Sequence, residues 1–222
     1  MHPIFQTLLF LHIGAGFLSI VLFWVPTFTK KGGTAHRLSG KFYVILMWTV
    51  VVTAAILCVR NMIVGRPITG AFLGFIALIT AKPLWHGIRV LHYKKENPMR
   101  FLFWQRVVDG LVIAAAIGMV IYGIYLGGNG SAILMFIFAG LGLADVPNFI
   151  KKIRRPPVSS NWLKDHLVGM FVSAIAAYTA FFVFGANRFL EVLPGYWAIV
   201  PWVAPTVVGT IGIRRMVKKY AK

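Results

Sequence analysis

The chain has 222 residues, of which 59% are hydrophobic and 13% charged, and its mean hydropathy is +0.78. A soluble domain carries about a quarter charged residues, and no core of this size buries so much apolar surface, so a soluble globular protein is excluded. The formal net charge of +18 would suit a nucleic-acid partner, but the placement of the charges argues against it and for a membrane.

Seven apolar segments follow in chain order, at 4–25, 42–62, 67–91, 104–126, 132–149, 163–186 and 196–213. Each comes close to the roughly 20 residues that a spanning helix needs. Hydrocarbon leaves a backbone polar group no partner outside its own segment, which selects helices. The period-two alternation of a membrane barrel is absent. The expected fold class is therefore an all-α membrane protein of seven transmembrane helices. The first segment lacks a charged flank and a small-residue cleavage site, so it reads as a retained helix rather than a signal peptide. Cys58 is the single cysteine, which gives no disulfide framework.

Of the 23 Lys and Arg, all but Arg60, Arg66 and Arg188 sit at the first, third and fifth connections or in the C-terminal tail. This bias predicts an N-terminus outside and a C-terminus in the cytoplasm. The same basic rim would draw anionic lipid headgroups. Trp24, Trp85, Trp104 and Trp162 fall at the predicted cytoplasmic ends and Trp197 at the outer end, an interfacial belt.

One pattern occurs twice. Val25-Pro26-x-Phe28-x-Lys30-Lys31 is matched by Val146-Pro147-x-Phe149-x-Lys151-Lys152. Leu38-x-Gly40-x-Phe42 is then echoed by Leu167-x-Gly169-x-Phe171, and Gly87-Ile88-Arg89 by Gly212-Ile213-Arg214. Repeats in fixed order point to a duplicated unit. The expected organisation is one transmembrane domain over 1–222. It comprises a three-helix repeat at 1–95, a linker helix at 104–127 and a second three-helix repeat at 131–222. The odd helix count of each repeat makes the linker necessary if both copies are to run the same way, and parallel repeats of this kind occur in transporters.

This 3+1+3 plan resembles the sugar-efflux and PQ-loop transporters. Their repeats also carry a proline near the cytoplasmic end of the first helix of each triplet, ahead of a basic loop. Pro26 and Pro147 match that placement, and the resemblance implies a gate or hinge at each. The chain departs from the pattern in having Thr27 and Asn148, not Gln, after the prolines. A second stretch, 162–187, with Asp165-His166, Gly169-Met170 and Thr179-Ala180-Phe181, resembles a family of small bacterial membrane proteins of unknown function. The segment Leu193-Pro194-Gly195-Tyr196 with Trp202, Pro205 and Thr206 fits it too. That resemblance implies the fold class and a bacterial inner membrane, and no activity.

Ionisable groups inside a membrane are costly and usually functional. Lys82, His86, Asp109, Asp145, Asp165 and His166 all fall in the predicted cytoplasmic third of their helices, and His36 and Arg106 lie at the same level. Asp145 precedes Pro147, which frees a backbone carbonyl one turn earlier. A carboxylate so far into a helix needs a partner. Arg106 and Asp109 are spaced to pair with each other. Lys82 and His86 share a helix face, although Lys82 is also placed to snorkel to the interface. Asp165 suits the first turn of its helix, where the dipole favours a carboxylate. Small residues, Gly14, Gly16, Gly70, Gly74, Gly118, Gly140 and Gly142, would let helices approach closely. His12 lies between apolar residues beside Gly14, as a hydrogen-bonded packing residue or a ligand.

Three functions follow from these residues. In a small-solute transporter, Asp145, Asp109 and His86 would bind solute or relay a proton along a path between the halves. Lys82 and Arg106 would favour an anionic group, and no cofactor is needed. In a metal-dependent membrane enzyme, His36, His86 and His166 with Asp109 or Asp145 would supply the ligand types zinc takes. In a b-type haem protein, His86 and His166 would be axial ligands, and His12 would need a second haem. The chain would also serve as an accessory subunit or homo-oligomer in a larger complex. Signatures of soluble enzymes are absent.

Overall fold

The computed structural model describes residues 3–92, 98–127, 130–154, 161–185 and 200–221. Among these residues the secondary structure is helical, with no strand. In chain order the helices are α1 (Pro3–Leu22), α2 (Trp24–Phe28), α3 (Thr34–Ile63), α4 (Pro67–Arg89), α5 (Pro98–Tyr125), α6 (Gly130–Leu143), α7 (Val146–Arg154), α8 (Trp162–Ala180) and α9 (Val200–Tyr220). A 3-10 turn over Val90–His92 extends α4, and a π-turn over Phe181–Gly185 extends α8.

Six stretches are long and apolar enough to cross a bilayer: Pro3–Phe28, Thr34–Ile63, Pro67–His92, Met99–Tyr125, Ala132–Arg154 and Trp162–Gly185. α9 is a further helix of 21 residues, and its last turns carry Arg214, Arg215, Lys218 and Lys219. The start of the seventh predicted span and Trp197 lie outside the described residues.

The prolines explain two interruptions. Pro26 has no N–H to donate to Leu22, and Pro147 none to donate to Leu143. α1 ends at Leu22 and α6 at Leu143. The chain then turns and resumes as α2 and α7, so each copy of the Val-Pro motif forms a short helix behind a break. The predicted spans 4–25 and 132–149 are thus broken near their basic ends. α3 starts eight residues before the expected 42, because nothing in Thr34–Lys41 breaks a helix and its basic side chains reach the interface.

Packing separates two cores. Phe23, Tyr43, Met47, Leu84, Phe171 and Ala174 join α1, α3, α4 and α8 in one. Phe75, Ala116, Met119, Met135, Phe138 and Ala139 join α4, α5 and α6 in the other. α4 takes part in both. α3 packs on α1 and on α4, whereas α6 packs on α5 and not comparably on α8 among the described residues. The two expected triplets therefore do not pack alike.

The tightest approach is between α4 and α8. A Cβ added to Gly169 would lie 2.7 Å from both the Gly87 Cα and the Pro83 carbonyl oxygen. Only hydrogen at both positions permits this contact. Gly70 and Gly74 similarly admit Met62 and Cys58 of α3, and Gly142 admits Ala116 and Phe75. Gly14, Gly118 and Gly140 have nothing within 4 Å, and Gly16 only an ordinary contact with Val50 at 3.8 Å, so these four do not mediate close packing. They lie toward the outside of the bundle, where lipid would cover them.

Candidate functional site

Asp109 is the most deeply buried charge, with its side chain 2% exposed. Its two carboxylate oxygens are held by two ammonium groups, Lys82 Nζ at 2.9 Å and Lys152 Nζ at 2.7 Å. Lys82 also pairs with Asp145, whose other oxygen accepts from Asn148 Nδ2 at 3.0 Å. The Arg106 guanidinium donates to the Lys152 carbonyl oxygen at 2.7 Å, while its buried Nε–H has no acceptor among the described residues. The cluster joins α4 (Lys82), α5 (Arg106, Asp109), the α6–α7 break (Asp145) and α7 (Asn148, Lys152). Two carboxylates balance two ammonium groups, and Arg106 leaves one positive charge in excess.

Helix geometry explains how α7 carries so much of this. Asp145, Asn148 and Lys152 are spaced three and four residues apart and so share one face. The break before Pro147 turns that face toward α4 and α5. Asp145 therefore has the partner its position demands. The expected Arg106–Asp109 pair is not formed: Asp109 is taken by lysines from two other helices, and Arg106 turns to backbone. In the sequence Lys152 is one of many rim lysines. Its spacing of seven from Asp145 was the available signal.

His86 lies beside this cluster but not in it. Its ring stacks on Phe101 with centroids 5.9 Å apart, and its Nδ1 is 3.3 Å from Gln105 Nε2. An amide nitrogen only donates, so Nδ1 accepts. His166 lies across α4: its Nδ1 donates to the Gly87 carbonyl oxygen at 2.7 Å, and its ring centroid is 6.5 Å from that of His36. The structure therefore pairs His166 with His36 instead of the expected His86. Among the described residues no three His, Cys, Asp or Glu side chains converge as a metal-holding group. His36, His86 and His166 with Asp109 or Asp145 are spread over two faces of α4.

His12 joins α1 to α3 through a hydrogen bond. The Thr53 hydroxyl gives its hydrogen to the Thr49 carbonyl oxygen at 2.6 Å and receives His12 Nδ1 at 2.9 Å. Asp165 stands in the first turn of α8, capped by Asn161, whose side chain accepts from the Lys164 N–H at 3.1 Å.

The first Val-Pro motif has different neighbours. Trp24 Nε1 donates to the Tyr178 hydroxyl at 2.7 Å, which donates to the Ile20 carbonyl oxygen at 2.6 Å. Lys31 Nζ lies 2.7 Å from the carbonyl oxygens of Pro26 and Thr27. Burial, and then the nearby Lys219 ammonium, push the Lys31 ammonium below its ordinary value.

A cleft of about 190 Å³ between α4 and α5 is lined by Ala71, Gly74, Phe75, Ala115, Gly118, Met119 and Tyr122. A shallower one lies along Val44, Trp48 and Val52 of α3. Both are apolar, and neither reaches the charged cluster.

Long apolar helices with a buried ion network at one end define a multi-pass helical membrane protein. Compared with family models, curated proteins and solved structures, the chain matches none.

Proposed function

We propose that this protein is a small-solute transporter of a bacterial inner membrane, coupled to protons and accepting an anionic group at its cytoplasmic side. The observation that carries the reading is the Lys82 ammonium shared between carboxylates on two helices, one of them at a proline break. The orientation follows the lysine and arginine bias, and the parallel duplication supplies the two breaks. α7 is fastened by two charged contacts, Asp145 to Lys82 and Lys152 to Asp109. Asp145, with 28% of its side chain exposed against 2% for Asp109, is the more accessible of the two carboxylates. Its protonation would release Lys82 to Asp109 alone and free the start of α7. Arg106, with an unused N–H beside the cluster, would meet an anion there.

The test is proton flux. Purified protein is placed in liposomes containing a trapped pH dye, and a potassium diffusion potential is applied. Wild-type protein should acidify the lumen and Asp145→Asn should not. Wild-type vesicles that behave like empty ones, or a variant that matches wild type, would end this reading.

One observation favours an accessory-subunit reading instead. The clefts described are apolar and the ion network is internally paired, as a static pin between helices would be. Under it, Asp145→Asn would weaken association with a larger complex and leave vesicles without flux in either form.

A further inference from the structure

Apart from the charged cluster, two imidazole rings lie 6.5 Å apart between centroids, each with its Nδ1 engaged by a backbone carbonyl. His36 Nδ1 lies 2.9 Å from the Pro26 carbonyl oxygen, and His166 Nδ1 lies 2.7 Å from the Gly87 carbonyl oxygen. A carbonyl oxygen only accepts, so both Nδ1 atoms carry hydrogen. In a neutral ring the other nitrogen, Nε2, then holds a free lone pair. Metal-bound histidines are set in this way, with the far N–H given to a carbonyl or carboxylate that orients the ring. The Pro26 carbonyl also accepts from the Lys31 ammonium at 2.7 Å, while the Gly87 carbonyl lies in the last turn of α4, where the backbone potential favours a cation.

The spacing selects the ion. With a metal–nitrogen distance of about 2.0 Å, two imidazoles on opposite sides of one metal have centroids about 6.3 Å apart, and at a tetrahedral angle about 5.2 Å. The observed separation is 6.5 Å, with the rings 70° apart. That separation is the one a nearly collinear, two-coordinate ion between the two Nε2 atoms would require. Zinc would need the rings drawn together by over about 1 Å and further ligands, and no third His, Cys, Asp or Glu converges among the described residues. Lys31 stands nearby and penalises a divalent ion more than a monovalent one. Met170 is one helical turn from His166, with its methyl against Gly87, and a thioether is a soft ligand. A haem iron also takes collinear imidazoles, but the porphyrin would meet the backbone contact of Gly87 with Gly169, three residues from His166.

We infer that His36 and His166 form a two-imidazole binding site for a monovalent d10 ion of the copper(I) class, with Met170 within reach as a third, soft donor. The site does not rest on the transport reading, since it shares no residue with the charged cluster.

Copper(I), held reduced by ascorbate without oxygen, is titrated into the full chain in nanodiscs of zwitterionic lipid against a coloured copper(I) chelator. X-ray absorption of the loaded protein reports the ligands. One copper per chain with two imidazole scatterers is expected. His36→Ala and His166→Ala should each weaken binding at least about 100-fold, the upper end of what loss of a supporting hydrogen bond costs, and His92→Ala should leave it unchanged. His166→Ala also removes the hydrogen bond to α4, so His36→Met provides a second arm that leaves α8 untouched. It should keep copper(I), because a thioether replaces the imidazole, and should bind no zinc. The proposal fails if wild-type protein does not compete with the chelator, or if the doubly substituted His36→Ala/His166→Ala chain binds as well. It fails too if zinc displaces copper(I), or if the purified protein shows a haem absorption band that His166→Ala removes.

Discussion

The two copies of the Val-Pro-x-Phe-x-Lys-Lys motif share a backbone and differ in chemistry. In each, a helix stops four residues before the proline and a short helix follows, with the lysines just past it in the first copy and within it in the second. The first break is closed by neutral hydrogen bonds, from Trp24 to Tyr178 and from Tyr178 to Ile20. Its second lysine, Lys31, caps its own helix. The second break holds Asp145 where the first holds Trp24, and its second lysine, Lys152, reaches across to Asp109. Both breaks fall at a proline, although Pro83 and Pro205 lie inside unbroken helices, and the residue two places before each of the two breaking prolines differs, Trp24 meeting aromatic neighbours and Asp145 charged ones. One end is thereby a neutral joint and the other a charged latch.

Substitutions in the latch should cost most. Asp109→Ala leaves Lys82 and Lys152 without their shared buried partner, and breaking such a group costs about 3–5 kcal/mol. Unfolding by denaturing detergent should show a loss of that size, and a loss below about 1 kcal/mol would mean that water already screens the cluster. Next comes the contact that holds the two regions at fixed distance. Gly169→Ala forces α8 off α4 and should cost about 1–3 kcal/mol by overpacking, read in the same titration. Asp145→Asn removes one charge-assisted bond from a partly exposed position, so about 1.5–3 kcal/mol is the upper limit. It should fall below the Asp109 value, and the reverse order would place the main burden of the latch on α7. The neutral joint should respond least. Tyr178→Phe deletes the hydroxyl between Trp24 and Ile20, at about 1 kcal/mol, and should change the Trp24 emission while leaving the ion network intact. A larger effect at Tyr178 than at Asp109 would reverse the comparison.

Much of the latch was legible beforehand. Asp145 stood out because a carboxylate inside an apolar helix needs a partner, and Asp109, Lys82 and Arg106 lay at its level. Who pairs with whom was not legible. Arg106 and Asp109 are spaced to pair, yet two lysines from other helices reach Asp109 first, because α7 turns at its proline and presents Lys152. His86 and His166 lie at similar depth, but depth along a helix does not give azimuth, and they meet different partners, Gln105 and Phe101 for His86, the Gly87 carbonyl and His36 for His166.

By itself the sequence determined the helices, because lipid requires each backbone to satisfy itself. It also supplied the prolines that lack the N–H at the two breaks, although Pro83 and Pro205 sit inside continuous helices, and it set the level at which charges gather. Only the tertiary structure decided which helices touch. Helices that are apolar all round carry little directional preference, so their arrangement rests on close contacts such as Gly87 with Gly169. That contact sets α8 against α4, with His166 near His36, while Lys82 of α4 pairs with Asp109 and Asp145.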